Sequence, residues 1–255
     1  MKANMFGIDG KKIKEVELPK VFKEKVRKDL IKRAVLSEQS KKFQPKGNYK
    51  WAGLETSARY RGRKEAYGSL KNRGQAMLPR EIRPKGKWGA VKVVPFSKGG
   101  RRAHPPKTEK VIVERMNKKE YQKALKSAIA ATAQLEIVKE RGHKTEIAPI
   151  ILDAAFENIK KTKEINSILN IICEEDLKRG KNTKRRTTRK GGKKIPKTAL
   201  IVVSDDSKLL NSAKNISGLD VVSANKLTVE LLAPGTTPGR LTCYTENALK
   251  ELEKM

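Results

Sequence analysis

Apolar positions recur along most of this chain with a clear period, and in one long stretch they recur with none. Met5-Phe6-Gly7-Ile8 and Ile13-Lys14-Glu15-Val16-Glu17-Leu18 flank Asp9-Gly10, a pair that favours a tight hairpin turn, and Pro19 ends the second strand. Over 20–40, Val26, Leu30 and Ala34 return every four residues with Asp29, Lys32 and Arg33 outside the stripe, which is helical spacing. Asn117 and Glu120 have the spacing of a capping box, the stripe Tyr121, Leu125, Ala128, Ile129 and Leu135 continues the helix, and Gly142 stops it. Pro149-Ile150-Ile151-Leu152 reads as a buried strand. Thr162 opens a second helix with Ile165, Ile168, Leu169, Ile172 and Cys173 on one face and Gly180 at its end. The unbroken run Thr198-Ala199-Leu200-Ile201-Val202-Val203 fits a parallel strand covered on both faces. A helix near 207–215, a strand at 220–222, a helix near 225–232, a strand at 241–244 and a last helix near 246–254 complete the pattern. This alternation predicts an α/β fold: a parallel-sheet, three-layer globular domain built from 1–40 and 111–255, with a long extended basic loop, 41–110, inserted in it.

Inside 41–110 neither period persists. The stretch holds 20 Lys and Arg against 4 Glu and no Asp, with 9 of the 18 glycines, 6 of the 11 prolines and 7 of the 12 aromatic residues. A structureless run of this length normally argues against an assignment. Here the composition explains it: glycines permit close backbone approach, prolines stiffen an extended path, and aromatics between cations suit stacking on bases. The densest cluster is Arg59-Tyr60-Arg61-Gly62-Arg63-Lys64. Arg73, Arg80, Arg83, Lys85, Lys87, Trp88, Lys98, Arg101, Arg102, His104 and Lys107 continue it. Guanidinium planes fork onto phosphates and stack on bases. The plain alternative, a solvated tail, sits poorly with Trp51, Trp88 and Pro105-Pro106 in mid-chain. A second basic loop, 178–194, has ten cations in seventeen residues and no acid, among them Arg179, Lys184, Arg185, Arg186 and Arg189. Such a run also serves as a localisation or solubility device, but Thr187, Thr188 and glycines interleave it, and RNA contact is the expectation.

Charge narrows the function further. The formal net charge is +31, from 59 Lys and Arg against 28 Asp and Glu. That repels itself in a compact state and is relieved by a polyanion, whose counterions are released on binding. Nucleic acid is therefore the expected partner. No apolar run approaches the 18 residues a membrane span needs, and Met1 to Phe6 lack the apolar region of a signal peptide, so a membrane is not expected and a cytoplasmic location is. Cys173 and Cys243, alone in apolar contexts, read as reduced core residues. Neither His104 nor His143 has a Cys or His at ligand spacing, so no metal, cofactor or small-molecule substrate is expected. No phosphate-cradling glycine motif is present; Glu175 stands where the P-loop pattern would need its first glycine. Ser204-Asp205-Asp206-Ser207 follows a buried strand, where α/β enzymes place acids, so an RNA-processing or RNA-modifying enzyme is the alternative reading; a helix cap is the simpler one.

Particular strings go beyond composition. Glu17-Leu18-Pro19 with Val21-Phe22, Asp29-Leu30-Ile31-Lys32-Arg33-Ala34, Gly99-Gly100-Arg101-Arg102-Ala103-His104-Pro105-Pro106-Lys107, Leu231-Leu232-Ala233-Pro234-Gly235, Pro238-Gly239-Arg240-Leu241-Thr242 and Tyr244-Thr245-Glu246 resemble the universal ribosomal protein four family of the large subunit, in its archaeal and eukaryotic form. The resemblance runs through nearly the whole chain. It implies a non-catalytic structural constituent of the large ribosomal subunit. The globular domain would lie on the subunit's outer face, beside neighbouring ribosomal proteins. The long loop would thread the large-subunit rRNA and line a narrow part of the exit tunnel along the nascent polypeptide. By position, the tunnel-proximal part falls between about Arg59 and Arg83, and the stem Lys92–Lys107 contacts rRNA backbone. Glu65-Ala66-Tyr67-Gly68-Ser69-Leu70-Lys71-Asn72 is less glycine-rich than the family pattern.

Overall fold

The computed structural model describes residues 1–182, 184–185, 193–204 and 208–254. The chain divides into two compact units, Met1–Lys42 with Val113–Met255, and Phe43–Ile112. Along it run β1 (Lys2–Phe6), β2 (Lys12–Glu17), α1 (Lys28–Ser40), β3 (Arg80–Ile82), β4 (Trp88–Val91), α2 (Lys118–Thr132), α3 (Leu135–Glu140), β5 (Ile150–Leu152), α4 (Thr162–Lys181), β6 (Lys184–Arg185), β7 (Lys193–Lys194), β8 (Leu200–Val203), α5 (Leu209–Ser212), β9 (Asp220–Ser223), α6 (Val229–Leu232), β10 (Thr242–Thr245) and α7 (Glu246–Glu253).

The larger unit is built on a six-stranded sheet in the order β2-β1-β5-β10-β8-β9. β1 and β2 form the antiparallel hairpin, with Ala3 opposite Val16, and every other pairing is parallel. Side chains alternate faces along a strand, so the parallel strands feed two cores, whereas the edge strand β2 is largely exposed. Met5, Ile151, Tyr244, Leu200 and Val202 pack with Ile31, Ala34 and Val35 of α1, Ala124, Ala128 and Ile129 of α2, and Ala248, Leu249 and Leu252 of α7. Their neighbours Ile150, Leu152, Cys243, Ile201 and Val203 pack on the opposite face with Val138 of α3 and Ile165, Ile168 and Leu169 of α4. The result is three layers. It explains why 200–203 is apolar at every position: each side chain lies under a helix, at about 1.5–3 kcal/mol per buried residue. Tyr244 is fully buried, with its hydroxyl 2.9 Å from Thr132 Oγ1 and its ring edge-on to Phe22 at 5.3 Å.

Local details depart from the sequence reading. Residues 20–40 are not one helix: Lys20–Lys23 make a 3-10 turn and α1 begins only at Lys28. The helix expected from Asn117 to Gly142 is broken into α2 and α3 at Gln134, whose backbone is extended. Thr132 Oγ1 donates to Ile129 O at 2.7 Å, a back-bond that competes with helix continuation. The capping box does not form: the Asn117 side chain caps nothing, and Glu120 accepts from Arg33 Nη1 at 2.8 Å instead. α4 is interrupted at Cys173. Within 41–110, β3 and β4 pair where no strand was expected.

Two buried charges hold the ends of the parallel sheet. Arg240, fully buried before β10, donates from Nε to Thr198 O (2.7 Å), from Nη1 to Leu231 O (2.9 Å) and from Nη2 to Ala199 O (3.0 Å), and its Nη2 lies 2.7 Å from Asp220 Oδ2. It joins the starts of β8, β9 and β10 to the end of α6. At the opposite ends of these strands Glu157 accepts from Ser204 N (3.0 Å), Ser204 Oγ (2.7 Å), Asn247 Nδ2 (3.1 Å) and the Thr245 hydroxyl. Burial alone would push the Glu157 carboxyl up, but the hydrogen bonds from Thr245, Ser204 and Asn247 outweigh it and hold the pKa below the ordinary value. A third carboxylate, Glu38 of α1, accepts from Val229 N (3.0 Å) and Glu230 N (2.8 Å), satisfying the first amides of α6.

Arg240→Met leaves the carbonyls of Thr198, Ala199 and Leu231 and the Asp220 carboxylate without their cation, and is expected to cost about 3 kcal/mol or more in urea unfolding. Glu157→Gln is expected to cost about 1–3 kcal/mol at neutral pH. Because the folded pKa is depressed, the stabilisation is complete above the unfolded carboxylate value, about 4.3, and is lost as pH falls through the folded value. The gap between wild type and Glu157→Gln in Tm therefore narrows on acidification below about pH 4.3.

Candidate nucleic-acid interface

The Phe43–Ile112 unit is a cationic stretch given shape by short backbone ladders. Its two ends run side by side: Asn48 N donates to Pro106 O at 3.4 Å, and a Cβ on Gly47 would lie 3.0 Å from the Thr108 methyl. The chains cross at Gly53, whose φ is +77° and whose missing Cβ would stand 2.6 Å from Arg101 Cα. Only glycine meets both demands. Further out, Arg59 and Arg80 exchange both backbone hydrogen bonds, at 3.1 and 3.2 Å, and Leu70 N donates to Arg61 O at 2.8 Å. β3 pairs with β4 antiparallel, Ile82 opposite Trp88, and the chain turns between them through Lys85 and Gly86, both at positive φ. Leu70 is 1% exposed and gives this end a buried apolar anchor. Near it, a Cβ on Gly68 would lie 3.4 Å from Arg61 Nη1 and 3.8 Å from Trp88 Cζ2.

These ladders leave the cations outside. Arg59, Arg61, Arg63, Lys64, Arg73, Arg83, Lys85, Lys87, Lys98, Arg101, Arg102 and Lys107 are exposed, as is His104; Arg80 and Trp88 are half-buried. The fold brings Arg59, Arg61 and Arg80 together through the Arg59–Arg80 bridge and the Arg61–Leu70 bond, and sets Arg101 against Gly53. In the larger unit many cations are matched: Arg27 with Asp29, Lys28 with Glu140, Arg33 with Glu120, Lys42 with Glu230 and Lys197 with Asp220. Among the described residues, no cation of 43–112 forms an ion pair. With 18 Lys and Arg against 4 Glu, this unit carries +14, and it presents that charge to solvent uncompensated. Such a surface concentrates polyanions, and exposed guanidinium groups fork onto phosphate oxygens.

Of the second basic loop, Lys184–Arg185 pair antiparallel with Lys193–Lys194. Arg186 and Arg189 lie outside the described residues. Arg179, exposed at the end of α4, donates to Gly142 O at 3.1 Å.

The enzyme-like features resolve differently. Both the amide and the hydroxyl of Ser204 are engaged by Glu157; Asp205, Asp206 and Ser207 lie outside the described residues. His143 is buried, with Nδ1 2.8 Å from Asp176 Oδ1. Among the described residues no group of three or more His, Cys, Asp or Glu is placed to hold a metal ion. Cys173 and Cys243 are free and buried; burial pushes the Cys173 thiol up to about 12 and raises Cys243 as well, away from nucleophilic use. Sequence reasoning missed Arg240 and Glu157, because nothing in a lone Arg or Glu between apolar runs signals that it is buried and fully engaged. It also left Trp51 unassigned to any contact.

The two units define a class: a three-layer α/β protein that carries an inserted, uncompensated cationic element. A model of the ribosomal protein L4/L1 family matches residues 16–255. The chain is 45% identical to the large ribosomal subunit protein uL4 of Methanocaldococcus jannaschii over 262 aligned residues, covering 100% of this chain and 99% of that protein. It is 43% identical to uL4 of Methanococcus maripaludis, covering 99% and 98%, and 41% identical to uL4 of Methanoculleus marisnigri, covering 100% and 99%. This chain belongs to the ribosomal protein L4/L1 family.

Gly53→Ala forces both the φ and the crossing. Limited trypsin digestion is expected to cut at Arg101 and Arg102 severalfold faster than in wild type, with the larger unit's cleavage unchanged; equal rates would mean that the crossing does not depend on Gly53.

Proposed function

We propose that this protein is a structural constituent of the large ribosomal subunit, without catalytic role, metal or cofactor, and that Phe43–Ile112 is its principal rRNA-binding element. The observation that carries this is the uncompensated charge of that unit on a backbone held open by ladders. Arg59, Arg61, Arg63, Lys64, Arg73, Arg83, Lys85, Lys87, Lys98, Arg101, Arg102 and Lys107 neutralise backbone phosphates, letting rRNA segments pack that would otherwise repel. Arg80, His104 and Trp88 add further rRNA contacts, and so do Arg179, Lys184, Arg185, Arg186 and Arg189 of the second basic run. Phosphate contacts position the element; shape supplies the selectivity. The part between about Arg59 and Arg83 lines the exit tunnel along the nascent polypeptide, while the larger unit packs against neighbouring large-subunit proteins. The protein works ribosome-bound in the cytoplasm.

Sedimentation of lysate is the test. The protein is expected to stay with the large subunit at about 0.5 M salt, where a purely electrostatic contact is severely weakened. Release into the free fractions as salt rises would contradict a constituent role. With isolated large-subunit rRNA, Arg61→Gln together with Arg63→Gln is expected to reduce the slope of log affinity against log salt by about 1.5–2, one phosphate contact per arginine.

A further inference from the structure

We propose that Trp51 is a stacking platform for an unpaired nucleobase, a site distinct from the phosphate contacts around it. The proposal rests on the RNA-binding reading and adds to it a contact that is not ionic.

The chain has two tryptophans. Trp88 lies in β4, half-buried, its six-membered ring close to Gly68. Trp51 is 60% exposed. It does not project from a loose segment: Ala52 N donates to Tyr49 O at 3.1 Å, Leu54 N to Trp51 O at 2.8 Å and Thr56 N to Leu54 O at 3.0 Å, so Trp51 sits within consecutive hydrogen-bonded turns. Two residues on, Gly53 is locked against Arg101, which anchors the turns to the returning chain. Among the described residues no aromatic ring packs against Trp51. The largest apolar side chain in the sequence is thus held out into water by ordered backbone, an arrangement that gains nothing in the free protein.

The surroundings select the occupant. Lys50 precedes Trp51 in the chain and the Arg101 backbone crosses at Gly53, two residues on, while the nearby acid Glu55 is engaged by the Tyr49 hydroxyl. An apolar protein surface would bring nothing to the cations of this stem. A splayed RNA strand offers a flat π face for the indole and phosphates for its neighbours at once.

The test uses the full-length protein and transcribed large-subunit rRNA. Trp51→Ala is expected to weaken binding about five- to a hundredfold, the worth of one stacked base, while the salt slope stays at the wild-type value because no phosphate contact is lost. Trp51→Phe, which keeps a π face, is expected to recover most of the affinity. Subtracting the fluorescence of Trp51→Phe from that of wild type isolates the Trp51 emission, which is expected to be quenched on RNA addition. Unchanged affinity of Trp51→Ala, or unquenched difference emission, overturns the stacking site while leaving the phosphate contacts standing. Protection of Trp51 from iodide only in the assembled subunit, with no effect on naked rRNA, would overturn it in favour of a protein neighbour. Failure of wild type to bind the transcript at all would overturn both this site and the RNA-binding reading.

Discussion

Parallel strands leave their ends open, and in this protein the ends are closed by charge. Arg240 reaches from the segment before β10 to the carbonyls of Thr198, Ala199 and Leu231 and to Asp220. Without it the buried carbonyls before β8 would lose their donor, and the half-buried Asp220 of β9 and Leu231 carbonyl of α6 would lose a partner. Glu157 performs the complementary task at the far ends of β8 and β10, collecting amide and hydroxyl donors. A buried ion is costly unless every bond it can make is made, so these two residues stabilise only the one alignment in which all their partners arrive. The alternating apolar residues supply the bulk of the folding free energy, and the two charges fix the register in which it is collected.

The same contrast runs through the whole chain. In the larger unit, cations meet carboxylates across element boundaries, as Arg33 meets Glu120 and Lys42 meets Glu230. In the smaller unit they meet none among the described residues. A protein under selection only for its own stability would mix the signs. The larger unit still carries +17, but part of its charge is paired, whereas the +14 of the smaller unit is relieved only when a polyanion arrives.

Much of this was legible in the sequence, and the reasons are specific. Asp9-Gly10 announced the hairpin because few pairs tolerate its turn, and 199–203 announced a doubly covered strand because its side chains are apolar on both alternating faces. The composition of 41–110 marked the cationic element. What was hidden depended on distant partners. The capping box at Asn117 and Glu120 had the right spacing, yet Glu120 is drawn off by Arg33, 87 residues earlier. The helix that seemed to run to Gly142 breaks where Thr132, whose hydroxyl also meets Tyr244 of β10, bonds back to Ile129. β3 and β4 are too short to show a period, and their pairing follows from the turn at Lys85 and Gly86. Trp51 and Trp88 look alike in sequence; only the backbone around them separates an exposed ring from a half-buried one.

The bridge between Arg59 and Arg80 sets two guanidinium groups on directly opposed backbone positions. Opposed like charges loosen a ladder, so in the free protein this junction works against itself, and mobile ions that screen the repulsion tighten it. In the complex the same ions compete with the protein for phosphate. Ionic strength thus acts in opposite directions on the two states, firming the unbound element while weakening its hold on a nucleic acid. The two effects are unequal: one opposed pair is worth about 0.2–1 kcal/mol, whereas many phosphate contacts weaken together, so the firmer junction softens the salt penalty on binding without reversing it.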